Sequence, residues 1–75
     1  MEEKIKSIMV NIFQIEKSSI YSHSSPDNIN TWDSIGHLNL ITSLEEEFGI
    51  SFTEEQIVQM LNFELVVEIT KEAVK

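Results

Sequence analysis

A serine, an aspartate and a histidine fall within one short stretch, Trp32-Asp33-Ser34-Ile35-Gly36-His37-Leu38, and these are the residues whose types could do chemistry. Their letters are those of a hydrolytic triad. A triad, however, needs its acid to orient the imidazole from the side opposite the nucleophile, and adjacent positions on one helical turn hardly permit that. A nucleophile elbow would read G-x-S-x-G; Gly36 is in place, but Trp32 stands where the first glycine should be. The run Asp27-Asn28-Ile29-Asn30-Thr31-Trp32 hints at a calcium loop, yet Ile29 falls where the second oxygen ligand is required and no glycine sits at the sixth position. His23 and His37 are the only imidazoles and cysteine is absent, so a structural zinc site lacks ligands. No catalytic residue and no metal site is expected. On the residues alone, Asp33 or Ser34 reads as a helix cap, the usual role of these side chains at such a junction.

The elements that would position this stretch are helical. Ile5, Ile8, Met9, Ile12 and Phe13 recur at the spacing of one helix face, with acids at the start and Lys17 at the end, which predicts a first helix from about Glu2 to Glu16. Ser18 to Asp33 then mixes Ser, Asn, Asp and the only proline, Pro26. It reads as a long loop, pegged by Ile20, Tyr21, Ile29 and Trp32, and loops of such length inside a compact domain are usually functional or disordered. The pegs favour function. A second helix is predicted from Ser34 to Phe48, with Asp33 as N-cap and Gly49 as the left-handed stop. Winding it places Leu40, Ile41, Leu44 and Phe48 on a core side and Ile35, Asn39, Thr42 and Glu46 on the other. Thr53 with Gln56 forms a capping-box pattern for a short third helix carrying Ile57 and Met60. Asn62 caps again, and a fourth helix buries Phe63, Val66, Val67 and Ile69 or Val74. The expected fold is all-α, a four-helix bundle of unequal helices in a single domain, 1–75.

Composition excludes other classes. With 75 residues there is no room for two domains, and no apolar run approaches the roughly 20 residues of a membrane span. Met1-Glu2-Glu3-Lys4-Ile5 opens with acids and no apolar block follows, unlike a signal or transit peptide, so a cytoplasmic protein is expected. The net charge of −8 is carried downstream: Lys17 and Lys71 enclose a stretch with no Lys or Arg but with Asp27, Asp33, Glu45, Glu46, Glu47, Glu54, Glu55, Glu64 and Glu68. Such a field repels phosphate backbones, which argues against nucleic acid and suits a basic patch on another protein. The plainer explanation is that the acids keep a small protein soluble.

Asp33-Ser34-Ile35 at the start of an amphipathic helix that ends in Leu44-Glu45-Glu46-Glu47-Phe48 resembles the prosthetic-group attachment region of acyl carrier proteins. The helix order and the length extend the likeness over essentially the whole chain. The resemblance implies that Ser34 is esterified by 4′-phosphopantetheine drawn from coenzyme A, with Asp33 the motif residue before it. Physics is compatible: a phosphodiester at the first turn of a helix meets unpaired N–H groups and the positive end of the helix dipole. The implied partners are a phosphopantetheinyl transferase, an acyl- or aminoacyl-loading ligase, and synthases or acyltransferases whose basic patches dock on Ile35, Asn39, Thr42, Glu45, Glu46 and Glu47. The carrier would be a monomer and would catalyse nothing itself.

Carriers of core fatty-acid synthesis commonly have acids where this chain has Gly36 and Asn39, and a larger apolar residue at Thr42. The Trp-Asp-Ser-Ile-Gly-His-Leu run looks more like carriers of specialised lipid or secondary-metabolite pathways. Two alternatives share the same residues: an aminoacyl or peptidyl carrier, and an acidic interaction module without a prosthetic group. His37 winds toward the apolar side and is expected to pack or hydrogen-bond into the preceding loop. Trp32 is expected to pin that loop to the core, or to touch the arm or a partner.

Overall fold

The computed structural model describes residues 1–74 and orders them as α1 (Glu2–Phe13), a 3-10 turn (Lys17–Ser19), α2 (Ser34–Phe48), α3 (Glu54–Gln59) and α4 (Phe63–Val74). No strand occurs among the described residues. The Cα radius of gyration is 11.0 Å.

Helix α1 stops earlier than its apolar spacing suggests. Gln14 takes the left-handed conformation, φ 57° and ψ 50°, and its N–H bonds the Val10 carbonyl. Its side-chain amide donates to the Asn11 carbonyl at 2.8 Å, so two terminal carbonyls are satisfied by one residue and no glycine is needed. Lys17 therefore closes no helix. It opens the 3-10 turn and reaches back to Glu3 at 2.6 Å, where its hydrogen bond and charge hold that carboxyl below its usual range.

The other boundaries follow local chemistry. Asp33 caps α2 through a 2.8 Å bond from the Gly36 N–H, and Gly49 ends it at φ 64°. Thr53 and Gln56 form the reciprocal capping box of α3, and Asn62 Oδ1 accepts the Leu65 N–H at the start of α4. The long connection from Gln14 to Asp33 is held at both sides. Thr31 Oγ1 donates to the Phe13 carbonyl at 2.8 Å, and the Ser24 and Ser22 carbonyls accept the Phe63 and Glu64 N–H groups at 2.8 and 3.0 Å. The loop thus serves as the N-terminal cap of α4.

Ile5, Met9 and Phe13 of α1, Leu40, Ile41 and Leu44 of α2, and Phe63, Val66 and Val67 of α4 build the core. Ile20, Ile29 and Trp32 enter it from the loop, and Trp32 stacks on Phe13 at 5.4 Å between ring centroids. One expectation is corrected: Tyr21 is exposed and stacks on His23, so it pegs nothing. Phe48, half-buried at the end of α2, packs against the core. Of the two residues offered for the last helix, Ile69 is buried and Val74 is exposed.

Thr70 is fully buried and its hydroxyl has no hydrogen-bond partner. Desolvating a hydroxyl without a partner costs about 1–3 kcal/mol, whereas an apolar group of the same shape leaves nothing unsatisfied. Thr70→Val is therefore expected to stabilise the protein by about 1 kcal/mol, raising Tm by about 4 °C or more. A lower melting temperature for the variant would show that the hydroxyl is satisfied in solution.

Candidate functional site

The first turn of α2 is shaped by Asp33 and leaves Ser34 free. Asp33 is extended, φ −98° and ψ −167°, its side chain binds the Gly36 N–H and its carbonyl accepts the His37 N–H at 2.8 Å. Ser34 is the first helical residue and is exposed, so its hydroxyl points from a rigid turn whose earliest N–H groups have no intrahelical partner. A nucleophilic hydroxyl is thus presented on a fixed platform. Gly36 beneath it is buried, and an added Cβ would lie 2.2 Å from the Thr31 carbonyl oxygen and 3.1 Å from Phe13. The loop approaches the helix this closely only because no side chain intervenes.

His37 is half-buried and both its nitrogens are committed. Nδ1 accepts the Trp32 indole N–H at 2.9 Å, and Nε2 lies 2.9 Å from the Ile57 carbonyl oxygen. Neither partner is Ser34 or Asp33. The imidazole therefore stands apart from the serine, which agrees with the sequence argument against a triad. Trp32 is 1% exposed and pins the loop to the core as expected, while it also lines the groove beside Ser34.

Beside Ser34 runs an open groove of about 820 Å³ between the loop, the start of α2 and the segment Ile57–Leu61. Its floor includes the buried Trp32 and Met60, and its apolar wall includes Leu38, Val58 and Leu61. Asp27 and Asp33 stand on the loop side. Leu38, Val58 and Leu61 are 60, 73 and 64% exposed, a concentration of uncovered apolar surface that folding does not explain. Sequence reading missed these three. The signal for Val58 and Leu61 is the pairing of apolar neighbours, Ile57-Val58 and Met60-Leu61, in a segment where only one of each pair can turn inward.

No protein-family model matches the chain. Among solved structures it is similar to the solution NMR structure of a holo acyl carrier protein from Geobacter metallireducens, with a TM-score of 0.87 and 23% identity, covering 97% of this chain and 84% of that one. The fold is that of acyl carrier proteins.

On the carrier fold, the residues expected to form a docking face separate into two groups. Ile35, at 71% exposure, lies with Asn39, Thr42 and Glu46 on the outward side of α2, and all four are exposed. Glu45 is instead half-buried, and its Oε2 accepts the Phe52 N–H at 2.8 Å, which ties the chain leaving α2 back onto the helix. Glu47 pairs with Lys4 of α1 at 3.1 Å. The structure thus lines Ile35, Asn39, Thr42 and Glu46 along the exposed side of α2, with Ile35 and Leu38 in the turns nearest Ser34, and ties Glu45 and Glu47 to the protein's own backbone and α1.

Proposed function

We propose that this chain is a carrier protein whose Ser34 bears 4′-phosphopantetheine and whose arm holds an acyl group as a thioester for other enzymes. The observation that carries this reading is the exposed Ser34 hydroxyl on the capped first turn of α2, at the mouth of an apolar groove, in a carrier fold. In the modification step, Ser34 Oγ forms a bond to the pantetheine-side phosphorus of coenzyme A. The pyrophosphate P–O bond to the adenosine bisphosphate breaks, and the hydroxyl proton passes to the transferase. The residues present suit the group: Ser34 is the attachment atom's owner, and the wall of Leu38, Val58 and Leu61 suits the apolar part of a cargo. The arm supplies the thiol that the cysteine-free chain lacks.

The cargo class favoured is an acyl chain, and the partners are a phosphopantetheinyl transferase, a loading ligase, and synthases or acyltransferases. Their basic patches would meet Glu46 and the acidic field around it, with Ile35, Asn39 and Thr42 as the contact surface. Asn39, and Thr42 in place of a larger apolar residue, support a specialised pathway, because a face with a changed charge and apolar pattern selects partners other than those of core fatty-acid synthesis. The site of action is the cytoplasm. No helix among the described residues is long and apolar enough to cross a membrane.

The test is chemical. A broad-specificity transferase supplied with radiolabelled acyl-coenzyme A should place label on the protein, and neutral hydroxylamine should release it, as expected for a thioester. Label that never appears, or that resists hydroxylamine, favours an acidic interaction module for which Asp33-Ser34 is only a cap.

A further inference from the structure

Trp32 and His37 are coupled more tightly than either the cap at Ser34 or the packing of the core requires. An indole N–H can only donate, so the 2.9 Å contact fixes His37 Nδ1 as an acceptor. The ring's single proton then sits on Nε2, where it donates to the Ile57 carbonyl at 2.9 Å. One neutral imidazole thus bridges the loop, α2 and the end of α3. The rings also lie nearly parallel, at 15° and 6.2 Å between centroids.

We propose that His37 is a proton-operated latch that holds the end of α3 against the loop as one wall of the groove, and releases it when the imidazole takes up a second proton. The added proton must go to Nδ1, where it faces the Trp32 N–H, donor against donor. Trp32 is 1% exposed and stacked on Phe13, so it neither turns away nor finds water to accept its N–H in place. The bond to Ile57 survives, because Nε2 still donates. His37 therefore leaves Trp32 together with the α3 end it holds. That end is held lightly for a helix, since α3 is six residues long and buries none of them, its anchors being the half-buried Ile57 and the buried Met60 that follows it.

The charged groups around the ring come from the loop and α3. Asp27 and Asp33 line the same groove, Asp33 being committed to the Gly36 N–H, and Glu54 and Glu55 sit in the first turn of α3, at the end away from Ile57. None of these carboxylates is a hydrogen-bond partner of the imidazole, whose bonds go to Trp32 and Ile57. Only the use of the latch, controlling how a chain carried on Ser34 enters the groove, rests on the carrier reading. The latch itself rests on the geometry of Trp32, His37 and Ile57.

The test uses the full chain without any arm, so its result does not depend on whether Ser34 is modified. The protein has one tryptophan and hence one indole N–H resonance. In the wild type that resonance, together with the backbone amides of Val58 to Leu61, is expected to move in a single-proton step as pH is lowered. His23→Gln should titrate like the wild type. His37→Gln, whose amide also pairs an acceptor with a donor but takes up no proton, should lose the movement. A wild-type indole signal that stays still, a movement that disappears in His23→Gln or persists in His37→Gln, or a shift that leaves Val58 to Leu61 unchanged would each overturn the latch. If His37→Gln does not fold, the comparison of wild type with His23→Gln still decides it.

Discussion

Replacing Gly36 with alanine is expected to destabilise the protein by about 3 kcal/mol, lowering Tm by more than about 10 °C. The added Cβ would meet the Thr31 carbonyl oxygen at 2.2 Å, a backbone atom that cannot rotate away, and Phe13 at 3.1 Å. Thr31 is also held from its other end by the bond to the Phe13 carbonyl. Either the loop must lift from α2 or the first turn of α2 must unwind, and each disturbs Trp32, Asp33 and the platform under Ser34. For a domain of this size, whose total stability is on the order of 4–11 kcal/mol, that is a large share.

Gly49→Ala provides the contrast. There the φ is +64° and no atom lies within 4 Å of the added Cβ, so the cost is conformational alone, about 1 kcal/mol. Thermal melts of the two variants separate the mechanisms. A Gly36→Ala loss no greater than that of Gly49→Ala would mean that the loop does not approach α2 as described. The same contact gives a physical reason for the glycine where carriers of core fatty-acid synthesis commonly have an acid. An aspartate at position 36 would add its Cβ into the same carbonyl, so this departure belongs to the loop packing.

Much of the fold was readable because its boundaries are set by contacts three or four residues apart. Asp33 to Gly36, Thr53 with Gln56, and Asn62 to Leu65 are local bonds whose residue types announce them, and Gly49 marks a left-handed stop that few other residues take. The end of α1 was hidden because Gln14, an ordinary helix former, adopts the left-handed conformation and bonds the Asn11 carbonyl with its own side chain. Ser34 was singled out by resemblance, and its exposure was legible from its place at the start of a helix. The fate of Glu45 was not, because its acceptance of the Phe52 N–H depends on how the chain turns after Gly49. The groove was invisible for the same reason. Leu38 belongs to α2 while Val58 and Leu61 belong to the segment at the end of α3, and only the tertiary arrangement sets them beside Ser34.

The second large effect concerns Ser34, and structure and function part company there. The cap bonds of this turn are made by Asp33, so alanine at position 34 keeps the helix start intact and should change stability by no more than about 0.5 kcal/mol. If Ser34 were present only as a helix-start residue, its removal would be silent in every assay. If it is the attachment site, the same silent substitution removes all modification, a complete loss from a protein that melts like the wild type.

The most direct measurement is therefore the intact mass of wild type and Ser34→Ala after incubation with coenzyme A and a broad-specificity phosphopantetheinyl transferase. One phosphopantetheine added to the wild type and none to the equally folded variant is the expected result. No addition to the wild type, or an addition that persists in Ser34→Ala, would contradict the proposal that Ser34 is the point of attachment.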